Sequence, residues 1–344
     1  MINLGYPMIK LKLFMPTLFL SLSIFCVTQC SDEGEDEDEE EATVLETGEG
    51  TTPTSGRSVS GRTDLRVYMF GNSLLMHEVT PEPTEEKKVP HWLGLMATTA
   101  GTSLTVDGRY GFLRQFADFS EIGPQWGFTT VGSSWTDESV AFGDVPFNTI
   151  MLTPTNFIQY QGPAEPYFDD QNTTPISTSL STIDQTIAAH PGIPIYIYAG
   201  WADMAGYGTF PSGVDLASYY GDAQNSYHNW FIDYHDRLIR ARPDVTIKMI
   251  PVYLILAKLL SSEPLSAMTI TDVYEDDAPH GQPTLYLLAS MITYAALFQA
   301  QAPADFTIPT TVHALVRDNY STINDQIWTE LNGFTHSDGT GRVF

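Results

Sequence analysis

Cysteine is nearly missing from this 344-residue chain: the two present, Cys26 and Cys30, fall in the first thirty residues. Everything downstream is therefore without a disulfide, a thiolate metal site or a cysteine nucleophile. Basic residues are scarce too. Sixteen Lys and Arg stand against 42 Asp and Glu, a formal net charge of −26. A surface of that sign repels phosphates, which argues against nucleic acid as a partner. There is no glycine-rich phosphate loop, which argues against nucleotide binding, and no cofactor is implied. Nor is there an internal repeat or a second long hydrophobic span. What the chain does have is a globular composition, 42% hydrophobic and 12% aromatic, and length for one large domain or two small ones.

Lys10 and Lys12 precede an apolar run from Leu13 to Val27. This is a basic segment followed by a hydrophobic one too short for a comfortable membrane span. The run ends at Val27-Thr28-Gln29-Cys30, which resembles a bacterial lipoprotein signal. That resemblance implies export to the cell envelope and a lipid anchor on Cys30, at the outer membrane, with periplasmic or surface orientation left open. An ordinary secretory signal is the alternative. Residues 31–62 read as a tether: Asp32 to Glu41 is almost continuous acid, followed by Thr, Gly, Ser and Pro. Like charges repel and little apolar surface is available to bury, so the segment is expected to be extended. Its place after Cys30 resembles the surface-export signal of some Bacteroidetes-type lipoproteins; a plain spacer is the other reading. The expected organisation is a signal over 1–30, a linker over 31–62 and a folded domain over 63–344. That domain keeps 31 acids and 12 bases, a balance of −19, which suits a salty medium or a cationic surface.

Within the domain, β-prone apolar runs alternate with helical patterns. Strands are expected at 65–70, 103–106, 147–152, 193–199 and 245–252. Helices are expected at 91–100, 176–190, 222–242, 283–299 and within 310–333. Such alternation implies a parallel sheet covered on both faces, with right-handed crossovers. Residues 112–145 read as irregular, with Trp126 and Trp135 in a loop that could wall a substrate.

Two stretches carry chemistry. The first strand runs into Gly71-Asn72-Ser73-Leu74, which can present a hydroxyl at the carboxyl edge of the sheet, where ligands of open α/β sheets bind. The plainer reading is a turn, with Ser73 capping a helix. The second stretch is Asp276-Asp277-Ala278-Pro279-His280. A serine needs a base, and a histidine serves best when a carboxylate fixes its tautomer. Asp277 and His280 can supply both from one turn; a surface turn of Asp, Pro and Gly is the alternative.

In order, these blocks resemble the GDSL/SGNH hydrolases over roughly 65–298. Ser73 follows the first strand, a glycine the second and Asn156 the third, and Asp-x-x-His precedes the last long helix. The first block reads Gly-Asn-Ser-Leu where the family more often has Gly-Asp-Ser-Leu. The third keeps only the asparagine, in Pro154-Thr155-Asn156-Phe157. The resemblance implies a flavodoxin-like three-layer α/β/α fold with a mainly parallel five-stranded sheet. It also implies ester hydrolysis by Ser73 as nucleophile, His280 as base and Asp277 as orienting acid, with Asp276 as alternative. The oxyanion hole would be formed by Ser73, Gly111 (with Gly108 as competitor) and Asn156. A small ester or acylated glycan would be the substrate.

Other residues were weighed. His77, four residues past Ser73, reads as an exposed histidine that could touch the site. His228 and His235 share a helix face but lack a third ligand, so no metal is expected. Trp201 and Tyr207, after the fourth strand, could stack on a sugar or serve as lid or core.

Overall fold

A computed structural model describes residues 61–344 except 78–83, 125, 127 and 155–160. The expected signal with Cys30, nearly all of the linker, and Asn156 lie outside the described residues. Five strands form one sheet: β1 (Asp64–Gly71), β2 (Ser103–Tyr110), β3 (Thr149–Leu152), β4 (Ile195–Tyr198) and β5 (Ile247–Ile250). All pairs are parallel, in the order β2-β1-β3-β4-β5. The helices are α1 (Val89–Thr99), α2 (Leu113–Phe116), α3 (Pro175–Ala189), α4 (Leu216–Gln224), α5 (Ser226–Ala241), α6 (Val252–Leu260), α7 (Ile270–Val273), α8 (Pro283–Phe298), α9 (Ala314–Asp318) and α10 (Tyr320–Gly333).

The strand order explains the layers. From β1 the chain crosses outward to β2, then returns past β1 to β3 and proceeds the other way. Right-handed crossovers in opposite directions put their helices on opposite faces. Accordingly α1 packs with α8, which also meets α6 and α10, while α3 packs with α2 and α5. This is the flavodoxin-like three-layer arrangement. Central β1 is paired on both sides, and Val67, Tyr68, Met69 and Phe70 are fully buried. A strand covered on both faces reads as a continuous apolar run rather than an alternating one.

Both sheet edges are occupied. Val106 N–H donates to Gly132 O at 2.9 Å and Trp126 N–H to Gly108 O at 3.0 Å, so residues 126–132 cover β2. On β5, Met249 N–H donates to Arg342 O at 2.9 Å, so the C-terminal tail covers the other edge. Within 112–145, read from the sequence as irregular, Trp126 and Trp135 are buried in the core.

Two elements differ from the sequence reading. The long helix expected over 222–242 is two, α4 and α5, broken at Asn225. There the Asn225 side chain donates to Gly221 O at 2.7 Å, a local bond that competes with the helical ladder. The strand expected over 245–252 stops at Ile250, because Pro251 has no N–H for a ladder. The residues that follow are the buried helix α6. An apolar run buried all round carries no periodicity to reveal it. Among the described residues no helix is long and apolar enough to cross a membrane.

The tail is fastened by Arg342, which donates to Asp236 Oδ1 at 2.6 Å and contacts His235 Nδ1 at 3.0 Å. Burial, and then Arg342 itself, lower His235 to about 3. His235 is thus neutral in the fold but protonates in the unfolded chain below about 6.5. Its contribution to stability is therefore complete above that pH and declines as pH falls toward about 3. Arg342→Ala leaves Asp236, at a half-exposed position, with only His336 Nδ1 at 3.5 Å. It should cost about 2 kcal/mol, discounted from the value for a fully buried pair, read as a lower urea midpoint at unchanged slope.

Candidate active site at the carboxyl edge of the sheet

The strand order reverses at β1, so the crevice between the carboxyl ends of β1 and β3 is the topological switch point. Ser73 lies two residues past the end of β1. The turn that carries it is tight. A Cβ on Gly71 would come within 2.4 Å of Leu75 Cδ1 and 3.0 Å of Trp126, so a side chain there would have to displace the Leu75 side chain and crowd the Trp126 ring. Asn72, 1% exposed, holds the turn: its Oδ1 accepts Leu74 N–H at 3.0 Å. Its carbonyl accepts Leu75 N–H at 2.9 Å and Met76 N–H at 3.2 Å. Ser73 is half-buried and caps no helix. Its carbonyl accepts the Tyr286 hydroxyl at 2.6 Å, which ties the turn to α8.

The histidine sits on a loop closed at its base by a Tyr274–Gly281 bridge and by Glu275 N–H donating to His280 O at 2.7 Å. The carboxylate on His280 is Asp276, which corrects the expected Asp277. Asp276 Oδ2 meets His280 Nδ1 at 2.7 Å. Asp276 Oδ1 accepts Ala278 N–H at 3.0 Å and His280 N–H at 2.9 Å. Partial burial would raise the Asp276 carboxyl. The hydrogen bonds from the His280 side chain and backbone outweigh it and hold the carboxyl below its ordinary value. Asp277 is exposed; what it contributes is its backbone carbonyl, which accepts Met204 N–H at 2.9 Å.

The loop after β4 braces the histidine loop from outside. Buried Trp201 donates from Nε1 to Pro279 O at 2.9 Å, so it is a strut and not a sugar platform. Tyr207 donates to Asp222 at 3.0 Å. A further contact joins the two halves of the site. The rings of His77 and His280 stack with centroids 3.7 Å apart and planes 9° apart. Ser73 and His280 are thus brought to one edge, His280 by way of a neighbour of Ser73. Their side chains are not hydrogen-bonded to each other, and His280 Nε2 has no partner among the described residues.

The expected oxyanion donors fare differently. Ser73 N–H is not used by the turn's hydrogen bonds. Gly111 N–H donates to Gly71 O at 2.8 Å, an extension of the β1–β2 ladder, so it is not a free donor. Gly108 lies inside β2, where a Cβ would come 2.4 Å from Met69 O; it is a packing glycine. Asn156 lies outside the described residues. The sequence also concealed three buried polar atoms without partners among the described residues, Asn72 Nδ2, Thr153 Oγ1 and Tyr198 Oη. They sit at the carboxyl ends of β1, β3 and β4, and burial pushes the Tyr198 hydroxyl well above its ordinary value. Two exposed aromatics, Tyr110 at 52% and Phe112 at 45%, flank Gly111. Among the described residues no group of three His, Cys, Asp or Glu is placed to hold a metal. His228 meets Tyr253 Oη at 2.8 Å, and His235 is the buried partner of Arg342.

Tyr286→Phe removes the donor to Ser73 O. It should cost roughly 1–2 kcal/mol in a denaturant titration, the scale for a buried acceptor left unmatched.

No family model and no curated protein matches the chain. Among solved structures it is similar to a mutant acetyl-xylooligosaccharide esterase from Geobacillus, at 9% identity and a TM-score of 0.40. The match covers 73% of this chain and 100% of that one.

Proposed function

We propose that this protein is a serine esterase that cleaves carboxylic esters with Ser73, His280 and Asp276. One observation carries the reading: His280 keeps Nδ1 on a carboxylate at 2.7 Å and Nε2 unengaged, on a loop fastened to the Ser73 turn at the switch point of the sheet. In this reading His280 Nε2 takes the proton from Ser73 Oγ as Oγ attacks the acyl carbon. The tetrahedral adduct collapses to an acyl-enzyme as His280 returns the proton to the leaving alkoxide. Water, activated by His280 in turn, releases the acid. Asp276 keeps the imidazole in the tautomer with Nδ1–H and stabilises the imidazolium. Ser73 N–H and the Asn156 amide would receive the oxyanion, each such donor worth roughly 2.7–4 kcal/mol in the transition state.

The substrate class we favour is an O-acyl, in particular O-acetyl, carbohydrate. Support comes from Tyr110 and Phe112, whose exposed rings stand beside the site where a sugar face could stack. A second reading, a glycan-binding module without turnover, is favoured by the Gly111 N–H that is already engaged and by the missing Ser73–His280 hydrogen bond. We also propose that the chain is exported and lipid-anchored at Cys30; metabolic labelling with palmitate should then be lost in Cys30→Ser.

Hydrolysis of p-nitrophenyl acetate and of acetylated oligosaccharides tests the enzyme reading. Ser73→Ala and His280→Ala should each lower kcat at least about a hundredfold, and Asp276→Asn by up to about 10⁴. Asp277→Asn should stay within about twofold. An Asp277 variant as damaged as the Asp276 variant would refute the assignment of the acid. A parent that neither turns over nor reacts with a fluorophosphonate at Ser73, yet binds glycans, would leave the binding module.

A further inference from the structure

We propose that His77 is a positioning residue of this site, its imidazole forming the flat wall that fixes the ring plane of His280. The inference rests on the esterase reading for its kinetic consequence but not for its structural one. Two parallel pairs lie face to face. His280 holds Asp276 at 2.7 Å, and His77 Nε2 lies 3.7 Å from Glu275 Oε2. The stack is close and nearly coplanar, 3.7 Å and 9°. The carboxylates that align the two rings are consecutive residues, so one turn sets both ring planes.

The backbone that carries His77 is itself held. The His77 backbone N–H donates to Lys87 O at 3.0 Å, and an antiparallel bridge joins Met76 to Lys88. Lys87 Nζ reaches Glu275 at 2.6 Å, closing a circuit from the His77 segment to the histidine loop. His280 has no comparable restraint on its free edge: the Asp276 bond leaves its ring able to rotate about that contact. A planar neighbour against its face removes that freedom while leaving Nε2 open. The charged and titratable groups facing His77 are Glu275, Asp276, Lys87 and His280. Burial first, and then His280, lower the His77 pKa against the opposite pull of Glu275 and Asp276. His77 is therefore neutral at pH 7, so the wall carries no charge to repel an imidazolium on His280.

The test compares His77→Ala, which deletes the wall, with His77→Phe, which keeps a flat ring without titrating. The first readout is the NMR position of the His280 ring protons in the full chain, which needs no turnover. The ring-current displacement from the stacked neighbour should vanish in His77→Ala and persist in His77→Phe. The second readout is kinetic. In His77→Ala kcat should fall about tenfold with KM within about twofold, as expected for a misaimed base, and His77→Phe should recover to within about threefold of the parent. If His77→Ala does not fold, His77→Asn, polar but ringless, carries the same expectation. Unchanged His280 resonances in the ringless variant, or a His77→Phe no better than His77→Ala, would overturn the inference. Loss of the ring-current effect in a protein without esterase activity would instead overturn the esterase reading and leave the stack intact.

Discussion

The rest of the site depends on the tight turn that Asn72 closes after β1. Leu75 and Trp126 fill the space beside Gly71, and a side chain there would have to displace them. The central strand stops at Gly71, Asn72 folds back on its own backbone, and Ser73 emerges at the one point of the sheet edge where strand progression reverses. Because β1 is buried on both faces and paired on both sides, its end is positioned by the whole core. The serine's location is thus a consequence of sheet order, and a shift of one residue would turn it into the packed interior.

The histidine reaches the same edge by a different route. Its loop has no strand to position it and relies on short polar contacts. Asp276 takes three donors from its own turn, Trp201 and Met204 hold the loop from the side of β4, and Tyr286 links α8 back to the serine turn. The hydrogen bonds that close the loop come from its own turn and from the segment after β4, so its position depends on residues distant in sequence. Three polar atoms beneath the edge, on Asn72, Thr153 and Tyr198, have no partner among the described residues and mark the same region as one where the fold keeps polar groups that packing alone would not select.

Charge distribution sets the site apart from the rest of the molecule. The chain is strongly acidic, yet at the site each carboxylate has a cationic or donor partner: Glu275 has Lys87, and Asp276 has His280 and two amides. Burial, and then His280, lower the His77 pKa against the pull of these carboxylates.

The sequence by itself determined the alternation of strands and helices, the position of the serine turn and the presence of a histidine with a nearby acid. These are local matters: an apolar run buried on both faces, a glycine at the end of a strand, an aspartate within one turn of a histidine. Only the tertiary structure decided which aspartate bonds His280. Asp276 and Asp277 are adjacent and chemically identical, and the choice follows from how the loop wraps. It likewise decided that Trp126, Trp135 and Trp201 are core and strut, and that Gly111 spends its N–H on Gly71. It brought His77 onto His280 across about two hundred residues of chain. The helix over Val252–Leu260 was illegible because burial all round erases periodicity, and the break at Asn225 because a side chain competing for the backbone leaves the apolar pattern unchanged. In each case the deciding partner is distant in sequence, or identical to its neighbour, and only packing tells them apart.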